Sequence, residues 1–125
     1  MEQVHSIDVT SEWHLLEILE KMIEILVEAR NAYGVVTVDE PTFLQVMVLD
    51  DGGLRLESSG SDKVIAANVG FDERVEQYEH IATATIPGEW PTKTKVAAET
   101  MTLLAVDVHE VKFPASIDFY LDLTD

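Results

Sequence analysis

The chain contains no cysteine, which excludes disulfides, thiol catalysis and thiolate zinc sites and suits a reducing compartment. Basic residues are scarce. Eight Lys and Arg stand against 24 Asp and Glu, a formal net charge of −16 with a pI near 4.3. A field of that sign repels nucleic-acid phosphates and anionic membrane surfaces and draws basic partners. Neither direct nucleic-acid binding nor membrane association is expected. No apolar run approaches the roughly 20 residues of a membrane span. The opening MEQVHSIDVTSE carries neither the basic nor the apolar region of a signal peptide. A cytoplasmic location is therefore expected.

Motifs that carry chemistry are missing as well. No two of His5, His14, His80 and His109 have the i, i+4 spacing of a zinc-ligand pair, and no His-Glu-x-x-His run occurs. Asp50, Asp51 and Glu57 lack the alternate spacing of a calcium loop. The serines around Gly60 do not form Gly-x-Ser-x-Gly, and no glycine step leads into Gly-Lys-Ser/Thr. A non-enzymatic protein is expected, with no catalytic residue, no metal and no cofactor. A deep pocket gathering a histidine and two carboxylates would reverse that expectation.

What is present is a foldable chain. Hydrophobic residues make up 46% of 125 positions, enough for a core in one domain spanning residues 1–125. The clearest local pattern is Thr42–Ser59. An apolar arm, Phe43–Leu49, and an alternating arm, Leu54–Glu57, meet at Asp50-Asp51-Gly52-Gly53, which predicts a β-hairpin. Before it, Leu15, Leu19, Met22, Leu26, Ala29 and Tyr33 advance by threes and fours. That spacing predicts a long helix to Ala32, with Thr10 or Ser11 as N-cap and Gly34 as C-terminal cap. Its other face carries Glu17, Glu20, Lys21, Glu24 and Glu28.

Further pieces complete an α+β order. Val4, Ile7 and Val9 form a short strand or a lead-in; Val35–Asp39 is a strand stopped by Glu40-Pro41. Lys63–Val69 reads as a strand. Phe71, Val75, Tyr78 and Ile81 or Ala82 read as a short helix capped by Asp72. Thr94–Val108 reads as a longer helix, with Ala97, Met101, Leu104, Ala105 and Val108 on one side. Ile117, Phe119, Leu121 and Leu123 alternate with polar residues as a C-terminal strand at a sheet edge. The expected fold is therefore α+β. A long N-terminal helix packs on an antiparallel sheet of about four to five strands, with one short and one longer later helix and a C-terminal strand.

Candidate binding residues are aromatics beside acids: Trp13, Phe71 and Trp90, with Glu89 next to the last. Trp13 falls nearer the acidic side of its helix, and Trp90 lies in a loop bounded by Pro87, Gly88 and Pro91. A tryptophan among carboxylates suits a basic-apolar peptide segment.

Several stretches together resemble the TY-Chap domain family, small bacterial proteins related to type III secretion chaperones and to the YbjN family. They are Trp13 with Leu16, Phe43-Leu44-Gln45-Val46, Gly53-Leu54-Arg55-Leu56-Glu57, Gly88-Glu89-Trp90-Pro91, and Thr102 through Pro114. The resemblance implies an α+β fold, dimerisation, and a chaperone or adaptor that holds a segment of another, secreted protein. The late helix from Ala97 and the ending Pro114, Ile117, Phe119 also resemble Imm1-type immunity proteins, which would imply binding and neutralising a cognate bacterial toxin.

Overall fold

Ser11 starts the longest helix. Its side-chain oxygen accepts a hydrogen bond from the backbone N–H of His14 at 3.1 Å, and α1 then runs Glu12–Ala29. Its buried residues, Leu15, Leu19, Met22, Ile23 and Leu26, keep the 3.6-residue period. This helix and all that follows come from a computed structural model that describes residues 1–39 and 41–123.

The helix stops earlier than its apolar spacing predicts. Arg30 and Asn31 both take positive φ (60° and 45°) and turn the chain without a glycine cap. Gly34 lies in the next strand instead. A Cβ there would sit 3.1 Å from Leu26 Cδ1 and 3.2 Å from Met22 Cε. The glycine lets the helix settle on the sheet.

Seven strands form one antiparallel sheet: β1 (Glu2–Val9), β2 (Tyr33–Asp39), β3 (Thr42–Val48), β4 (Leu54–Ser58), β5 (Asp72–Glu76), β6 (Glu79–Ile86) and β7 (Ala115–Asp122). Their spatial order is β1-β7-β2-β3-β4-β6-β5. Two more helices complete the fold, α2 (Ser61–Ala66) and α3 (Lys93–Leu103), the latter prolonged by a π-helical turn over Leu104–Val108. The fold is α+β.

Period-two alternation decides which face is covered. Val36, Leu44, Val46, Leu54, Leu56, Ile117, Phe119 and Leu121 point to one side and are buried with α1 and α3 in a single core cluster. Their neighbours Tyr33, Val35, Phe43, Met47 and Tyr120 point to the other side, where no helix packs among the described residues, and stay half-buried. The β3–β4 hairpin is as expected from its turn residues. Gly52 takes φ 84°, Leu49 N–H donates to Gly53 O at 2.8 Å, and Asp51 Oδ1 accepts from Gly53 N–H at 2.8 Å.

Several expectations need correction. The sheet has seven strands rather than four to five, and the long helix is the second element, because residues 2–9 pair in full with β7. That pairing also places β7 inside the sheet, between β1 and β2, rather than at an edge. Lys63–Val69 is not a strand: α2 occupies Ser61–Ala66 and buries Val64. The expected helix over Phe71–Ala82 is the hairpin β5–β6. Gln77 and Tyr78 both take positive φ (49° and 70°), as a tight turn between antiparallel strands requires. The stop at Glu40-Pro41 falls partly on Glu40, which lies outside the described residues.

Candidate functional site

The helices α1 and α3 pack side by side on the sheet. Between them runs a cleft of about 380 Å³ lined by Glu12, Trp13, Leu16, Glu99, Thr102, Leu103 and Asp107. Each lining residue follows from helical phase. On α1, Leu15 and Leu19 face the sheet, so Glu12, Trp13 and Leu16 flank that stripe on the side nearest α3. On α3, Ala97, Ala98 and Met101 face inward, which turns Glu99 and Leu103 outward. The π-helical turn then slips the phase by one residue: His109 N–H reaches back to Leu104 O at 2.9 Å. Asp107 lines the cleft from this turn.

The cleft combines apolar and anionic side chains. Trp13 is 69% exposed and Leu103 37% exposed, so the cleft presents two large apolar side chains to solvent. Glu12, Glu99 and Asp107 border them, and no basic side chain lines the cleft among the described residues. Thr102 is buried and its hydroxyl donates to Ala98 O at 2.8 Å, so it shapes the wall without offering a free donor.

A second cleft, about 440 Å³, is lined by residues that include Asp39, Thr42, Lys63, His109, Glu110 and Lys112. It does bring a histidine and two carboxylates to one opening. His109 follows the π-helical turn, half-buried, with Nε2 2.9 Å from Ser58 Oγ. Ser58 donates its own proton to Ser59 O at 2.8 Å. Its oxygen must therefore accept from His109 Nε2–H, which leaves Nδ1 as the unprotonated nitrogen. Burial, reinforced by the charge of Lys63, holds the His109 pKa below its ordinary value and keeps the ring neutral. Ser58 is fully buried and committed to these two bonds, so it is a structural hydroxyl rather than a nucleophile. Among the described residues, no group of three or more His, Asp and Glu is arranged to hold a metal.

The candidate binding residues do not converge. Trp13 lines the first cleft. Phe71 is no exposed anchor: it is 8% exposed and belongs to the core, carried inward where Gly70 (φ 88°) turns the chain into β5. Trp90 is 47% exposed and Glu89 is exposed on the turn between β6 and α3, but neither lines the first cleft. That turn is tied to the β3–β4 hairpin, since Lys93 Nζ donates to Gly52 O at 2.8 Å.

Leu103, Glu99 and Asp107 were not among the residues singled out from sequence. A signal existed for the first of them, because Leu103 lies off the Ala97–Met101–Leu104–Ala105 stripe and must face outward on a regular helix. Compared with family models, with characterised proteins and with solved structures, the chain matches none.

Proposed function

We propose that this chain is a non-enzymatic, acidic protein-binding domain that holds a basic-apolar segment of a partner polypeptide in the α1–α3 cleft, as a secretion chaperone holds its substrate. One observation carries the reading: the exposed indole of Trp13 stands with Leu16 and Leu103 inside a rim of Glu12, Glu99 and Asp107. Trp13 would be the anchor, since buried tryptophans dominate binding at protein interfaces. The carboxylates would steer and orient basic residues of the segment without having to be buried. Trp90 and Glu89 would serve as a separate, outlying contact for a longer segment. A cytoplasmic location, expected from the sequence, and a homodimer, implied by the chaperone resemblance, belong to the same proposal; no helix among the described residues is long and apolar enough to cross a membrane.

The test uses Trp13 as its own reporter. In Trp90→Phe protein the remaining indole is titrated with an amphipathic helical peptide of Leu and Lys, and with an isomer carrying Glu for Lys. Saturable blue-shifted emission with the Lys peptide alone, weakening as salt rises, is the expected result. Unchanged emission, or an equal response to both peptides, defeats the proposal. Recovery from the source cells of one tightly bound, folded toxin, with the cleft empty, would favour the immunity class instead.

A further inference from the structure

On the face of the sheet away from the helices, strand register sets Glu2, Asp122 and Tyr33 side by side across β1, β7 and β2. Tyr120 follows on the same face, two residues before Asp122, because the alternate positions Phe119 and Leu121 are buried in the core. Asp122 is only 8% exposed, and its Oδ1 is shut off from solvent with no hydrogen-bond partner among the described residues. A carboxylate oxygen in that position calls for a donor.

Both neighbouring hydroxyls are engaged elsewhere. The Tyr120 hydroxyl donates to Glu2 Oε1 at 2.6 Å, and that bond, together with burial and a side-chain hydrogen bond with Tyr33, pushes the phenol pKa upward. The carboxylate of Glu2 only accepts. What the neighbours do supply is aromatic surface: the rings of Tyr33 and Tyr120, both half-buried, lie with centroids 6.0 Å apart and tilted by 42°. A donor that suits two carboxylates and two rings at once is a delocalised cation.

We infer that this patch seats the guanidinium group of an arginine from a partner polypeptide. A planar fork can donate to the carboxylate of Glu2 and, with a turn of the Asp122 side chain that brings Oδ1 to the surface, to Asp122, while its flat surface lies on a tyrosine ring. An ammonium is a more strongly hydrated point charge and lacks that match. The chain's charge of −16 favours a basic partner over the whole surface, and this patch adds a specific geometry. It lies on the opposite side of the sheet from the α1–α3 cleft and stands or falls independently of it.

The experiment is an NMR titration of isotope-labelled full chain with N-acetyl-arginine methylamide, N-acetyl-lysine methylamide and, at matched ionic strength, sodium chloride. The arginine derivative should give saturable shifts confined to residues 2, 33, 120 and 122 and their strand neighbours, with binding about tenfold tighter than the lysine derivative. Asp122→Asn should abolish saturation while the rest of the spectrum is unchanged. Tyr33→Leu, which leaves both carboxylates in place, should weaken binding and keeps the test decisive if Asp122→Asn does not fold. Equal response to arginine and lysine, shifts that merely follow sodium chloride, or a side-chain carbon shift showing Asp122 protonated at neutral pH would each overturn the assignment.

Discussion

Replacing Phe71 with alanine should destabilise the fold by about 3–4 kcal/mol, whereas Trp13→Ala should cost less than about 1 kcal/mol. The difference follows from burial. Phe71 is 8% exposed, so nearly the whole ring leaves the core in the variant and a cavity remains. Trp13 is 69% exposed. Under a third of roughly 200 Å² of aromatic surface is buried, worth about 1.5 kcal/mol at ~25 cal/mol/Å². Alanine's better helix propensity returns about 0.5 kcal/mol near the start of α1. For a chain of 125 residues, each kcal/mol moves the melting temperature by about 3–5 °C. Circular-dichroism melts should therefore fall by about 9–20 °C for Phe71→Ala and by no more than about 5 °C for Trp13→Ala, with urea m-values unchanged. Binding should invert the ranking: Trp13→Ala should weaken the Leu/Lys peptide by about 2 kcal/mol, roughly 30-fold. Equal losses of stability, or a Trp13 variant that binds as tightly as the parent, would refute both the burial argument and the cleft.

Gly88→Ala should cost about 2–3 kcal/mol in urea unfolding, because a Cβ would lie 2.6 Å from Asp51 O and 2.7 Å from Gly52 C, backbone atoms that can only move with the whole hairpin turn. Arg74→Met should cost about 1–3 kcal/mol by stranding the carboxylate of Glu57, which is 5% exposed and ion-paired to Arg74; adding Glu57→Leu should restore most of the loss. The pH dependence of stability should carry the mark of His109. Its pKa is lowered in the folded state, so the unfolded chain takes up the proton first. This contribution is fully present above about pH 6.5 and is lost as pH falls below it. His109→Gln, which keeps a donor for Ser58, should remove that slope in urea titrations between pH 5 and 8, and an unchanged slope would show that another group is responsible.

Where burial and periodicity coincide, the fold was legible from residues alone. The stripe of α1, the turn of the β3–β4 hairpin and the alternation of β7 each record a core-facing side, and each is where the pattern placed it. The stretch from Ser61 to Ala82 was misread for the opposite reason. Val75 and Tyr78 supplied the apparent helical stripe, yet they are 58% and 97% exposed, so the spacing recorded no buried face. What makes β5 a strand is pairing with β6 at the sheet edge, a non-local interaction with no local signature. Its turn uses Gln77 and Tyr78 at positive φ, where glycine or asparagine would have announced it. The expected strand over Lys63–Val69 is α2 instead, with Val64 fully buried, Ser61 donating to Glu73 Oε2 at 3.1 Å and Ile65 39% exposed, so contacts with other elements rather than a local period fix a six-residue helix.

The same reasoning explains why the exposure of Trp13 was legible and the burial of Phe71 was not. On a long helix, neighbours with known burial fix the phase, so Trp13, out of step with Leu15 and Leu19, had to face outward. Phe71 follows a glycine turn and precedes an edge strand, where no local period constrains its side. Leu103 satisfied the helical criterion as fully as Trp13, and phase would have put both on outward faces. What phase could not supply is that α1 and α3 are neighbours. Asp107 stands four residues after Leu103 and eight after Glu99, a spacing that keeps all three on one side of α3 and its extension and brings them to the cleft together. Asp107→Asn should therefore weaken the Leu/Lys peptide more at low salt than at high. Salt-independent weakening would instead mean that the substitution had disturbed the apolar lining, and unchanged affinity would remove Asp107 from the site.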